Sequence, residues 1–570
     1  MNEEILKVLR ADSDIFDIEE ILTNKKYGVS TYEYLYNLKF KIGNQFIGIV
    51  MAVPMNWNKN LVSFYVREYK RIKYIPHMHR FGELCLFDKE GVLINANLIG
   101  IIKECLERIK KILFEGINDI NKVDFIKEFD SYWSILAGRN VIKSTIKLDD
   151  NIKVIKYKEL QKQLKNEKEA LNFVVSDNES NLRIYMNNMP IKNGIYIPIV
   201  SEEYIYPPDW REKFDINYIN NIINNKNISL NDIIKLTKQC GKDLFLLINI
   251  KQPDGINSLI AILIKDFKES LICLNNNVKF INVKGTPMGV IREDRDYLTN
   301  RGGANDKICD KKVLVIGCGS IGGYLISELI KAGISNICMV DNDILSSNNI
   351  YRHLLGMEYV GDYKTTAIIN YMTKNLPYVT LTSCESEIED AINDKDINIE
   401  DYDLVISATG NHNVNRWLNH YIYSNRIDTP VIYLWNEVLG IGSHAVYINR
   451  KNKGCFECII GEDDVGIYDK TSYCKRGQLF AKQYRGCTST FLPYGSIHSL
   501  KTVAMGVEIV LKFFIEGITN NYVMSIKGDD TLFKKEGFEV SEKYNNQAQT
   551  VDVIYGEKFS NSRCCDCKGN

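Results

Sequence analysis

The chain has 570 residues, 45% hydrophobic and 25% charged, with a formal net charge of −1 at pH 7. This is ordinary globular material for about three or four domains, and the near-neutral balance excludes whole-chain attraction to nucleic acid or an anionic membrane. The fifteen cysteines are odd in number and scattered. The acidic start, Met1-Asn2-Glu3-Glu4-Ile5, lacks a signal-peptide pattern. Together these exclude a disulfide framework and favour a reducing cytoplasm with thiol or metal chemistry.

Residues 1–145 open with a short helix. Strand-like runs follow at Leu38–Val50 and Leu61–Tyr69, then a helix near 97–114. Within this block, Cys85 lies in Pro76-His77-Met78-His79-Arg80-Phe81-Gly82-Glu83-Leu84-Cys85-Leu86. It is either a core cysteine or a reactive thiol. His77 and His79 invite comparison with zinc proteases, but the serine and aspartate of that pattern do not follow.

Residues 146–294 are mixed, with strands at Leu182–Tyr185, Leu244–Ile250 and Leu259–Ile264, and helical spacing over Ile216–Gln239. No motif assigns this block a role. The polar run Asn300–Asp306 reads as a loop into a third block, 295–570. From 311 to about 540 strand and helix alternate, the mark of a parallel sheet with helices on both faces. Val503–Ile518 is the most apolar run, but Glu508, Lys512 and Glu516 make it an amphipathic helix, so no membrane span is expected. Cys105, Cys240, Cys273 and Cys338 sit in apolar strings, as core fillers do.

The third block carries the most informative run. The strand Val313–Ile316 enters a glycine turn with Gly317, Gly319 and Gly322. A helix pattern follows, then the strand Ile337–Val340 ending in Asp341-Asn342-Asp343. The first glycine permits the turn, the second admits a phosphate and the third lets helix and strand pack. Amides at the helix start then face an anion. Asp341, 19 residues after Gly322, stands where an acid holds ribose hydroxyls. Asn349, Arg352 and Lys364 follow. Two cations and an amide suit ATP and chemistry at a phosphate, because fixed cations stabilise a departing pyrophosphate. Taken singly, each is an ordinary surface residue.

Two C-x-x-C pairs, Cys455/Cys458 and Cys564/Cys567, can together hold a tetrahedral zinc; the alternative is two unrelated clusters, with Cys565 as a competing ligand. Cys487, in a polar loop with Lys482 and Arg485, has the setting of a nucleophilic thiol, and Cys474 is its rival. His444 is either catalytic or a satisfied structural histidine, the latter being commoner.

The glycine turn, Asp341/Asp343, Asn349-Ile350-Tyr351-Arg352 and Lys364 together resemble the ThiF-type activating enzymes. The likeness continues at Leu404–Asn411 with Arg416 and Asn419, over about residues 295–567. It implies an α/β fold, a Rossmann-like adenylation domain that binds ATP and Mg2+. Gly317, Gly319, Gly322, Asp341, Asp343, Asn349 and Asn411 would form the nucleotide site. Many relatives carry an aspartate for magnesium where Gly410 stands, which points to Asp341 or Asp343 instead. The family also implies a homodimer, with Arg301 supplied to the partner subunit's site, a structural zinc on the cysteine pairs, and a thioester on Cys487. Trp435-Asn436-Glu437, Gly440, Gly442 and His444-Ala445 resemble a branch found in antiphage operons.

The Cys85 segment resembles the active-site segment of ubiquitin-conjugating enzymes, over about residues 20–130. This implies an N-terminal α+β conjugating-type domain ahead of an α/β middle region. The usual His-Pro-Asn is absent, and His77 or His79 is the substitute to consider. Both domains in one chain resemble bacterial fusions of CBASS antiphage systems. The resemblance implies that a protein C-terminus, that of a cGAS-like nucleotidyltransferase, is adenylated with help from Arg352 and Lys364. The acyl group would then load onto Cys487, pass to Cys85 and be ligated to a target protein. The alternatives are a sulfur-carrier activator, an NAD-dependent oxidoreductase and a nucleotide-binding scaffold.

Overall fold

The computed structural model describes all residues except 22–31, 88–96, 161–170, 180–181, 183–188, 225–229, 270, 275–276, 465, 484–489, 492 and 570. The chain divides into two units, Met1–Asp294 and Arg295–Asn570.

The first unit begins with an antiparallel sheet of Ile15–Glu20, Tyr32–Ile42, Gln45–Pro54 and Ser63–Val66, in that order. The run Leu38–Val50 is thus two strands, folded at Gly43, whose φ of +57° suits glycine. Helices Asn2–Ala11 and Leu98–Ile117 cover one face. Ile5, Leu9, Ile102, Leu106 and Ile109 pack there against Tyr36, Leu38, Phe40, Ile49 and Met51. Cys105 is buried in this core, and burial together with Glu104 pushes its thiol up to about 12.

The middle block is a closed barrel of seven strands. Leu244–Lys251 explains its apolar strings. Phe245 and Leu247 face one buried cluster with residues from all the other barrel strands, and so point inward. Leu244, Leu246 and Ile248 face helices Phe129–Ala137 and Asn217–Asn224 outside. With both faces buried, alternation disappears. Cys240 is buried here too; the side chain of Cys273 lies outside the described ones, as does all of Leu182–Tyr185 but Leu182. The barrel starts before residue 145. Val141–Ser144 pairs in parallel with both Asn172–Ser176 and Gly285–Arg292. Its partners are distant in sequence, so no local signal marks it.

The second unit is an eight-stranded sheet. Its order is Thr380–Cys384, Asn336–Val340, Lys312–Ile316, Leu404–Ser407, Val431–Asn436, Gly442–Ile448, Tyr522–Lys527 and Val551–Tyr555. The first five strands are parallel. The last three run antiparallel, so the parallel pattern expected to about residue 540 ends at Asn436. Val313 and Val315 face helices Gly322–Ala332 and Ser496–Leu511. Leu314 and Ile316 face His412–Asn425 on the other side. Arg295–Arg301 is a helix, so the entry loop is shorter than Asn300–Asp306 suggests. Lys312–Ile316 lies between Asn336–Val340 and Leu404–Ser407, which both follow it in sequence, so the chain leaves it first to one side of the sheet and later returns on the other. This makes a topological switch point, where α/β sheets bind ligands. Among the described residues, no helix is long and apolar enough to cross a membrane.

Candidate active sites

Each glycine of the turn has its own constraint. Gly317 has φ +87°, and a Cβ there would lie 2.9 Å from Thr409 N. A Cβ on Gly322 would lie 1.8 Å from the Gly317 carbonyl oxygen, while one on Gly319 would meet nothing within 4 Å. The turn therefore closes on itself at its ends and leaves its middle open.

That opening faces a cleft of ≈630 Å³ at the carboxyl ends of the strands. Gly317, Gly319, Asp341, Asp343, Asn349, Arg352, Lys364 and Asn411 all line it. Gly322 packs beneath. Asp341 accepts the Cys318 N–H at 2.6 Å and the Asp343 N–H at 2.8 Å. Lys364 donates to Asp343 at 2.5 Å and lies 4.0 Å from Asp341. Asn349 accepts from the Ser346 N–H and hydroxyl, and Asn411 caps helix His412–Asn425. Gly410 offers no side chain, so the cleft carboxylates nearest the cations are Asp341 and Asp343. These groups fit a nucleotide with a divalent cation: open amides, two cations and two acids converge. Arg301 is not among the lining residues; it donates to the Tyr297 hydroxyl on its own helix.

Residues the motifs did not flag complete the cleft. The Tyr494 hydroxyl bonds the Ser320 hydroxyl at 3.0 Å, and its ring lies 5.3 Å from the Arg352 guanidinium. His353 is buried, pairs with the Cys318 carbonyl at 2.8 Å and accepts the Leu355 N–H. Burial lowers its pKa below 6.5, and as a neutral donor it braces the turn. Only its place beside Arg352 hinted at this.

Cys487 lies outside the described residues. Its rival Cys474 is pinned by its N–H to Glu437 at 3.0 Å, and burial, with Glu437 nearby, pushes its thiol far up. Glu437 also accepts from Ser472, from Tyr473 N and from His444 Nε2 at 2.7 Å. His444 is fully buried and its Nδ1 pairs with Ser525. It is a satisfied structural histidine. Gly442 must be glycine here, since a Cβ would meet Glu437 Oε1 at 2.5 Å.

Cys455, Cys458, Cys564 and Cys567 converge, their sulfurs all within 4.8 Å of one another. Three of the separations are 3.4, 3.5 and 3.8 Å. A tetrahedral ion with Zn–S bonds of about 2.3 Å needs sulfurs about 3.8 Å apart, so the set fits zinc. Hydrogen bonds from Cys455 and Cys564 lower the Cys458 thiol toward the thiolate a metal requires, while bonds with Cys458, Cys564 and Cys567 raise Cys455, so one thiolate is shared within the cluster. Cys565 is exposed and outside the group. Arg416 and Asn419 serve this cluster rather than the cleft. Arg416 holds Glu457 through two bonds, and Asn419 bonds Phe456 N and Asp566. They join the two cysteine loops.

Cys85 ends a hairpin in which Met78 pairs with Leu84. Met78 and Leu84 are buried in the sheet–helix core and Cys85 is half-buried. Gly82 has φ +78°, and a Cβ there would meet the Val66 carbonyl at 2.4 Å, which is why glycine precedes the cysteine. Arg211, from the connection between barrel strand Ile191–Val200 and helix Asn217–Asn224, donates to the carbonyls of Tyr69 and Ile72 ahead of this hairpin. No sequence pattern marked it.

Residues 294–509 match the ThiF family and residues 30–141 match Prokaryotic E2 family B. The ATP-dependent ubiquitin transferase-like protein Cap2 of Pseudomonas aeruginosa is 28% identical over 235 residues, 40% of this chain and 41% of that protein. The protein of the same name from Vibrio cholerae is 27% identical over 253 residues, 43% of this chain and 42% of the relative. That from Escherichia coli is 23% identical over 497 residues, covering 77% and 80%. The matched region thus spans about two fifths of the first two relatives and four fifths of the third. The chain thus joins a domain similar to Prokaryotic E2 family B to a Rossmann-like domain similar to the ThiF family.

Proposed function

We propose that the protein is an ATP-dependent conjugating enzyme that activates the C-terminal carboxylate of another protein. The observation that carries this is the cleft, where open glycine-turn amides meet Arg352, Lys364, Asp341 and Asp343. The carboxylate attacks the α-phosphate of ATP, and an acyl-adenylate and pyrophosphate form. Arg352 and Lys364 offset the charge that builds on the leaving group. Magnesium, held by Asp341 and Asp343, would add to that neutralisation. The Cys487 thiolate displaces AMP and holds the acyl group as a thioester. Exchange with the Cys85 thiol moves it to the E2-type domain, and an amine on the acceptor protein then forms an amide and frees Cys85. Desolvation and the Glu437 carboxylate, which raise the Cys474 thiol, support Cys487 as the first acceptor. Asn349 and Asn411 would orient the nucleotide, and zinc on the four cysteines would tie down the C-terminal segment.

The Cap2 names of the relatives support a role in CBASS antiphage defence; on that reading, the resemblance to CBASS fusions makes a cGAS-like nucleotidyltransferase the activated protein and the cytoplasm the setting. Family likeness supports a homodimer in which Arg301 serves the partner subunit. The E2-type match favours conjugation over sulfur-carrier activation, which needs no such domain.

The test combines the protein with ATP, magnesium and a cGAS-like nucleotidyltransferase. Wild type should catalyse ATP–pyrophosphate exchange, and Arg352→Ala should slow it roughly a hundredfold. Cys487→Ala should retain exchange but load no thioester. Cys85→Ala should accumulate a reductant-sensitive adduct on Cys487 and no reductant-resistant product. Absence of exchange with any C-terminal carboxylate would end the proposal.

A further inference from the structure

The hairpin that carries Cys85 has an unusual backbone. His77 adopts φ +62°, a left-handed conformation disfavoured for residues with a Cβ. Such conformations persist where the surroundings over-determine them, and here they do. His77 Nδ1 lies 3.0 Å from Glu128 Oε1, and Nε2 lies 3.3 Å from Asp124 Oδ2. The His77 N–H donates to the Tyr132 hydroxyl at 2.7 Å, and that hydroxyl donates to Glu128 Oε2 at 2.5 Å. The side chains of His77, Asp124 and Glu128 are each a quarter exposed or less. The carbonyl of this clamped residue accepts the Cys85 N–H at 2.8 Å.

An imidazole that donates from both nitrogens to two carboxylates is an imidazolium. Both nitrogens are therefore committed, and His77 is not placed to act as a general base. Its effect on Cys85 runs through the main chain.

We infer that His77 is the positioning residue of the Cys85 centre, held as a cation by Asp124, Glu128 and Tyr132 so that its carbonyl fixes the Cys85 amide. This rests on the transfer role proposed for Cys85.

The charges agree with the geometry. The Glu128 hydrogen bond, against burial and with help from Asp124, raises the His77 pKa above 6.5. Burial pushes Asp124 and Glu128 up. It is outweighed by Lys127 and His77 bonding Asp124, and by His77 and Tyr132 bonding Glu128 with His79 nearby. The histidine's contribution is fully present below 6.5 and is lost as pH rises through its raised value. That of the carboxylates is present above 3.8 and 4.5 and is lost as pH falls through their lowered values.

The experiment uses full-length His77→Asn, Glu128→Gln and the double variant. Asparagine accepts the left-handed backbone but carries no charge. Hydrogen exchange followed by mass spectrometry reads the Cys85 amide, and single-turnover transfer from Cys487 to Cys85 reads the chemistry. Each single variant should speed Cys85 amide exchange about tenfold, the scale of one lost charge-assisted bond, while the barrel strand Leu244–Lys251 stays protected. The double variant should be no worse than the worse single, since both break one clamp. The transfer ratio of wild type to Glu128→Gln, in which thiol ionisation cancels, should be largest between pH 4.5 and 6.5, where Glu128 is ionised and His77 protonated, and should fall as pH rises through the raised His77 value. Unchanged Cys85 exchange, or a ratio flat with pH, overturns the inference; if His77→Asn does not fold, Glu128→Gln decides. If Cys85→Ala conjugates normally, the transfer role falls while the exchange data still judge the clamp.

Discussion

Gly319 and Gly322 belong to the same turn, yet alanine at each should fail differently. At Gly322 the new Cβ would sit 1.8 Å from the Gly317 carbonyl oxygen, where real contacts begin near 3.0 Å. The obstacle is backbone, so the turn or the helix Gly322–Ala332 must move by about 1.2 Å. A shift of about 1 Å in a positioning element costs on the order of a hundredfold in rate, and overpacking costs about 1–3 kcal/mol of stability. Gly319 lies outside the left-handed region and its Cβ meets nothing within 4 Å. Gly319→Ala should therefore melt like wild type. Its methyl would instead occupy the space that a phosphate needs. Calorimetric titration with ATP and magnesium, together with thermal melting, separates the two. Gly322→Ala should lose both stability and binding, while Gly319→Ala should lose binding alone, by about tenfold or more. Full ATP affinity in Gly319→Ala would refute the placement of phosphate at the open middle of the turn.

The cysteine cluster predicts about one zinc per chain by elemental analysis, lost in Cys455→Ser, with a drop in melting temperature that excess chelator reproduces in wild type. A protein of full stability without metal would count against it. Glu437→Gln should cost about 3 kcal/mol, because it leaves His444, Ser472 and two amides short of a charged acceptor. Burial raises the Glu437 pKa, but the His444, Cys474 and Ser472 bonds win and lower it below 4.5. Its contribution is present above 4.5 and lost as pH falls through the lowered value. The stability gap between wild type and variant, measured by urea melts, should therefore narrow on acidification; a constant gap would show that the charge does not matter.

Local grammar carried much of this protein. The glycine turn, the strand before it and Asp341 are legible because a phosphate cradle needs a fixed order of residues over a short span. The C-x-x-C pairs are legible for the same reason. Leu244–Lys251 and Asn257–Ile264 could be read as strands from composition, since β-branched and apolar runs of that length seldom do anything else.

Other features depend on partners far apart in the chain, and no window along the sequence contains them. Val141–Ser144 joins a barrel whose neighbouring strands end at Ser176 and Arg292. Arg416 and Asn419 read only as a continuation of the family likeness, and folding brings them to Glu457 and Asp566. Tyr494 reaches Ser320 across 174 residues. His77 was visible only as a histidine near a cysteine. Its left-handed backbone and its clamp exist because a short helix, Asp124–Lys127, and the turn residue after it deliver Asp124 and Glu128, 47 and 51 residues onward, to its two nitrogens. Sequence determines which groups have the right chemistry. Only the packed fold decides which are brought within hydrogen-bond distance, because that selection depends on long-range contacts that the order of residues does not display.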